Sequence, residues 1–295
     1  MKNFGALLWV IFAGAILYQG CSADTSPADY PIQPVAFTSV KLTDDFWAPR
    51  IRKNASVTIP IAFSYCESTG RVRNFEIAAG LDTGKFQTIY PFDDSDVFKI
   101  IEGASYSLQT FPDPGLESYL DTLIYKIGLA QEEDGYLYTN RTIAEKNGGK
   151  GLHEWASPAR WELDSILSHE LYNLGHLYEA AVAHYQATGK RSLLDIAIKS
   201  ADLVNRDFGW DRVKVYPGHQ VIEMGLVKLY RVTGEKKYLD LARFFLDIRG
   251  NGDRYSQAHM KVVDQTEAVG HSVRATYMYS GMADIAAIEK DDAYL

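Results

Sequence analysis

A repeat constrains this chain more than any other feature. The segments "SYLDTLIYKI", "SLLDIAIKSA" and "KYLDLARFFL" align at Leu120, Leu194 and Leu239, and the last two are 45 residues apart, the length of a helix pair. Each follows a turn: "FPDPG", "ATGK" and "VTGE". Gly189 and Gly234 stand where a helix end favours a residue tolerant of positive φ. Apolar residues recur at three and four along Val97, Ile100, Ile101, Ala104 and Leu108, and again from Leu116 to Ile127, as on a helix with one buried face. Asp94 or Ser95 is expected to cap the first of these helices.

The chain therefore alternates inner helix, turn, outer helix. Inner segments begin near Asp94, Ser168, His219 and Ala268, and outer ones near Gly115, Arg191 and Glu235, which predicts seven helices. The expected fold is all-α, an incomplete toroid of the (α/α)6 type. Tyr294-Leu295 repeats Tyr238-Leu239, so the chain is expected to stop inside a repeat as an open arc. Before Tyr90 the sequence is rich in Gly and Thr without a clear period, and "FTSVKLTDDFW" reads as a short strand or extended arm. Glu133 to Asp164, with His153, Trp155 and Trp161, reads as a long loop of the kind that often carries function.

Residues 1–20 hold Lys2 and an apolar run from Phe4 to Leu17, which reads as an export signal too short to span a membrane. Cys21 after Gly20 resembles the lipobox cysteine of a bacterial lipoprotein, with Tyr18 where that motif favours Leu. A polar tether over 21–35 and one domain over 36–295 follow. The expected location is the periplasm or outer membrane, with the membrane reached through lipidated Cys21. Cys66 is then a lone thiol, which reads as a small buried apolar residue and excludes both an internal disulfide and a cysteine-rich metal site. The formal net charge of −8 and scattered basic residues exclude a nucleic-acid partner. Nineteen Tyr and five Trp offer surfaces for sugar rings, or simply cap long amphipathic helices.

Three histidines open inner segments: His169, His219 and His271. If the inner helices run parallel, these imidazoles meet at one mouth together with Asp94 and Asp96. Helix-end dipoles disfavour imidazolium there, leaving neutral rings with one donor and one acceptor each, the pairing that sugar hydroxyls require. The alternative for each is a cap or a core residue. "HELYNLGH" is not a zinc-protease motif, because His176 lies seven residues beyond His169, about 10 Å along a helix. Glycoside cleavage usually needs two carboxyl groups about 5 to 9.5 Å apart. Asp94, Asp96, Glu170 and Glu223 are candidates, with helix-start charge and salt bridging as the alternative for all four. Glu223, one turn after His219, is positioned to orient it.

In order along the chain, "DDFWAPR", "TGRVRNF", "FDDSDVFKIIEGASYSL", "AQEEDGYLYT", "SHELYNLGHLYEAAVAHYQATGK", "PGHQVIEMGLVKLYRVTGEKKYLDLARFFLDIRG" and "YSQAHMKVVDQTEAVGHSVRATYMYSGMAD" resemble glycoside hydrolase family 127, the β-L-arabinofuranosidases. The resemblance runs from Lys41 to Leu295 and implies an (α/α)6 toroid acting on an arabinose-containing glycan. It implies that His169, His219 and His271 contact the terminal sugar, with Asp94 and Asp96 near the same pocket. It further implies a retaining mechanism, with a zinc-bound cysteine as nucleophile and a glutamate as acid/base. All of these lie beyond Leu295, so no catalytic residue and no metal ligand is expected in this chain, and the chain is expected to be inactive alone. Two other readings remain: a carbohydrate-binding lipoprotein, and another toroid enzyme, an epimerase or unsaturated-uronide hydrolase, using Asp96 and Glu223.

Overall fold

The computed structural model describes residues 29–295, so the expected export signal and Cys21 lie outside the described residues. Within them the chain is helical and contains no strand beyond a single bridge between Phe208 and Val213. The segment from Phe37 forms a short 3₁₀ turn, and residues 40–43 are exposed and unpaired rather than a strand, with the chain bending over 44–46 into the first helix.

Eleven α-helices follow. All seven expected from periodicity are present: inner α4 (Asp94–Thr110), α7 (Glu170–Thr188), α9 (Ile222–Thr233) and α11 (Ser272–Glu289), and outer α5 (Pro114–Ala130), α8 (Ser192–Asp207) and α10 (Lys236–Asp247). Gly189 and Gly234 close α7 and α9 in the left-handed conformation, at φ of 72° and 74°.

Four further helices were not expected from the sequence: α1 (Trp47–Lys53), α2 (Ile59–Ser68), α3 (Arg71–Ala79) and α6 (Thr139–Lys146), although Ile59, Phe63 and Cys66 of α2 are buried at helical spacing. The physical reason is clearest in α6. Its buried residues include Thr139, Asn140, Arg141 and Thr142, so tertiary hydrogen bonds rather than an apolar stripe hold it. Helices α1 and α2 join through a wider π turn at Asn54–Thr58 just before Pro60, whose ring and missing N–H disturb the regular ladder.

The inner helices run parallel. At one end Ser95 N–H donates to Asn173 Oδ1, and at the other Gln109 Nε2 donates to the Gln186 carbonyl, aligning α4 with α7. Helix α9 lies so close to α7 that a Cβ on Gly175 would stand 2.5 Å from Val221 Cγ1 and 2.7 Å from Ile222 N. Helix α11 follows on the far side of α9, while α5, α8 and α10 pack on their inner partners and on one another. The continuous run of α1, the π turn and α2 lies antiparallel to α4: Asn54 shares a cavity with Tyr106 and Thr110, whereas Arg71, just past the end of α2, reaches Asp96.

Cys66 is buried in the core, and burial pushes its thiol up to about 11. Asp93, not Asp94 or Ser95, occupies the cap position of α4 and makes no side-chain cap bond. The carboxylate of Asp94 turns instead to Thr139, accepting from both its N–H and its hydroxyl.

Candidate functional site

Parallel inner helices bring their starts to one rim, and the three histidines meet there. His169 directly precedes α7, His219 lies three residues before α9, and His271 directly precedes α11. The ring centroids of His169 and His219 are 5.8 Å apart, and those of His219 and His271 are 6.0 Å apart.

Buried polar groups hold the backbone of each histidine segment in place. His169 adopts φ of +58°, a conformation that costs a non-glycine residue about 1 kcal/mol or more. Its neighbours offset that cost: Tyr138 donates to the Ser168 carbonyl at 2.7 Å, and Leu171 N–H donates to Asp164 Oδ1 at 2.9 Å. The carbonyl of Asp164 also accepts from Gly218 N–H, so one residue anchors the segments of both His169 and His219. Only glycine fits at 218, where a Cβ would meet that carbonyl at 2.6 Å. Arg249, wholly buried, donates to the Pro217 and Ser256 carbonyls and lies 3.4 Å from Glu223. Gln257 Nε2 donates to the carbonyls of Val269 and His271.

Hydrogen bonding fixes two tautomers. His219 Nδ1 lies 2.9 Å from the Gln220 carbonyl, which can only accept, so Nδ1 carries the proton and Nε2 is an acceptor. His271 Nδ1 accepts from Arg274 N–H at 3.4 Å, which leaves Nε2–H as a donor. Adjacent rings thus present opposite polarities. Burial pushes His169 down to about 3 and His219 to about 4, with Arg274 adding to the effect on both. These two rings are neutral as expected, with desolvation as the largest cause.

The carboxylates are less available than the spacing suggested. Asp94 is buried with both oxygens on Thr139, and burial raises it to about 7. Asp96 is half-exposed and paired with Arg71 at 2.7 Å. Glu170 accepts from the Tyr136 and Ser157 hydroxyls. Glu223 does not orient His219: its oxygens go to Val221 N–H and towards Arg249, and it is fully buried. Trp161 is also interior, donating to Asp207. Ion pairs account for Asp96 and Glu223, and hydrogen bonds to hydroxyl and amide donors account for Asp94 and Glu170.

Several side chains at the rim were not singled out by the sequence. Tyr172 lies 4.5 Å from His219, Tyr277 5.9 Å from His219, and Tyr255 5.5 Å from His271. Each sits on or beside the segment of a rim histidine, so helix register from His169 and His271 could have found Tyr172 and Tyr277. Phe92 stacks on His169 at 4.6 Å, a contact with no sequence signal.

Zinc fits none of these residues. Among the described residues no group of three or more His, Cys, Asp or Glu has metal-holding geometry, and burial keeps the Cys66 thiol protonated despite the nearby Arg71. No helix among the described residues is long and apolar enough to cross a membrane.

Comparison with known proteins bears on the family and the fold. The sequence model of the β-L-arabinofuranosidase GH127 catalytic domain matches residues 39–295. A non-reducing end β-L-arabinofuranosidase of Bifidobacterium longum subsp. longum is 38% identical over 250 residues, 76% of this chain and 37% of that protein. A solved GH127 β-arabinofuranosidase is 58% identical with a TM-score of 0.85, covering 90% of this chain and 42% of its own. A GH127 β-L-arabinofuranosidase of Geobacillus stearothermophilus T6 is 40% identical with a TM-score of 0.80, over 86% and 43%. The chain thus spans less than half the length of these relatives. With the family's domain matched over nearly all its described length and the helical arc in common, this chain belongs to glycoside hydrolase family 127.

Proposed function

We propose that the histidine mouth is the terminal-sugar pocket of a glycoside hydrolase acting on L-arabinofuranosides. The observation that carries this reading is the convergence of three imidazoles within 6.0 Å of their neighbours, two of them locked as opposite tautomers. A furanose offers vicinal hydroxyls that each donate and accept. His219 Nε2 accepts from one and His271 Nε2–H donates to another, while neutral rings avoid the desolvation cost that a buried cation would impose on a neutral ligand. Tyr172 and Tyr277 supply apolar faces beside His219. The names of the relatives support arabinofuranoside as the ligand class.

These residues recognise rather than cleave, since the carboxylates near them are occupied by Thr139, Arg71, Tyr136 and Arg249. Titration calorimetry with methyl β-L-arabinofuranoside tests this. The chain should bind it, and His219→Ala should weaken binding about tenfold or more, the cost of losing one well-placed hydrogen bond. Absence of binding, or an unchanged affinity in the variant, would overturn the reading.

Export and a lipid anchor at Cys21 belong to the same proposal, supported by the apolar run from Phe4 to Leu17 and the Gly20-Cys21 junction. In a bacterial host, Cys21→Ser should move the protein from the membrane fraction to the soluble periplasmic fraction. Equal membrane recovery of both forms would remove the anchor.

A further inference from the structure

We infer that Tyr90, Phe92 and Trp155 form a stacking platform for a second sugar unit, next to the one held by the histidines. This rests on the terminal-sugar reading above.

The three rings come from two loops far apart in sequence and lie nearly parallel. Tyr90 and Phe92 are 5.5 Å apart at 9°, Tyr90 and Trp155 5.5 Å apart at 21°, and Phe92 and Trp155 6.5 Å apart at 13°. Most other aromatic pairs in the molecule meet edge to face, the common packing of rings in a core. Stacked rings partly cover one another, so the cluster offers an apolar face where its outer rings reach the surface. Tyr90 keeps 43% of its surface exposed, and Trp155 is half-buried.

The platform is continuous with the mouth, because Phe92 stacks on His169 at 4.6 Å and 23°. A glycan whose end sits between the histidines can therefore extend past His169, where its next ring meets this cluster. The C–H face of a sugar buries apolar surface against such rings while its hydroxyls stay in water. The platform is also held in place. Trp155 N–H donates to His153 Nδ1 at 3.0 Å, His153 N–H donates to Asn140 Oδ1 at 3.1 Å, and Tyr90 N–H donates to Asp93 Oδ2 at 3.3 Å. A preformed surface spares the ligand the entropy of ordering it.

Calorimetry on the 295-residue chain, comparing methyl β-L-arabinofuranoside with an arabinofuranosyl disaccharide, tests the platform. The disaccharide should bind more tightly. Trp155→Ala should weaken the disaccharide about tenfold and the monosaccharide by no more than about twofold, and Trp155→Phe should restore most of the loss. Retained monosaccharide affinity also reports that the variant is folded. If Trp155→Ala leaves the ratio of the two affinities unchanged, the platform is wrong and the terminal pocket stands. If the unaltered chain binds neither sugar, the terminal pocket falls and the platform falls with it.

Discussion

Two kinds of buried residue make opposite demands on pH. Burial holds the His219 ring at about 4 and His169 at about 3. In the unfolded chain both would take up protons below about 6.5, so these two groups make stability fall as pH drops below that value. Their ring resonances should therefore stay flat between pH 5 and 8 in an NMR titration, and a midpoint near 6.5 for either would contradict the burial described. Asp94 acts in the other direction. Raised to about 7, it keeps its proton in the folded state while the unfolded chain ionises, so its contribution is lost as pH rises from about 4 towards 7. Asp94→Asn retains partners for Thr139 and removes this slope. The difference in melting temperature between variant and parent should grow in the variant's favour from pH 5 to pH 8. The positions of the three histidines were legible because each opens a periodic segment. The hydrogen bonds that set their tautomers were not, since Gln220 and Arg274 are ordinary neighbours until the backbone is folded.

The helices themselves are the most legible part of the molecule. Where one face is apolar at a 3.6-residue spacing, as in α4, α5, α8 and α10, burial follows the pattern: Val97, Ile101, Ala104 and Leu108 of α4 are all buried. Helix α6 escaped because its polar residues are held by distant partners, Asp94 for Thr139 and the Ser157 carbonyl for Arg141, and the stretch from Trp47 to Ala79 because its helices are short and broken by a π turn and by Gly70. Close contact between elements was equally hidden. Gly175 and Gly225 let α7 and α9 approach until a Cβ at 225 would lie 2.8 Å from the Gly175 carbonyl. Gly175→Ala should push the helices apart and destabilise by about 1–3 kcal/mol in denaturant titration, against the few tenths gained from alanine's helix propensity. A neutral or stabilised variant would show that the approach is looser than described. At the start of α5, Asp113 accepts from Gly115 and Leu116 N–H, and Asp113→Ala should cost about 1 kcal/mol.

Across the whole molecule, the ends of the described chain are tied together by one guanidinium. Arg231 on α9 binds Asp29 through two nitrogens at 2.9 and 2.8 Å and reaches Asp284 on α11 at 3.0 Å. Arg231→Ala should lower stability by about 1 kcal/mol and the loss should shrink at high salt, whereas cutting the exposed pair Lys236–Asp240 should have almost no effect. A salt-insensitive loss would show that Arg231 acts through packing instead. What the sequence by itself determined was the helical class, the alternation of inner and outer segments and the rim on which the histidines stand, because period, caps and turns are local properties. The tertiary structure alone decided which carboxylates are withdrawn, with Asp94 bonded to Thr139 and Glu223 beside Arg249, and which aromatics gather at His169. Those outcomes depend on partners tens of residues away, whose direction of approach is set by how the helices pack and is not encoded in any local spacing.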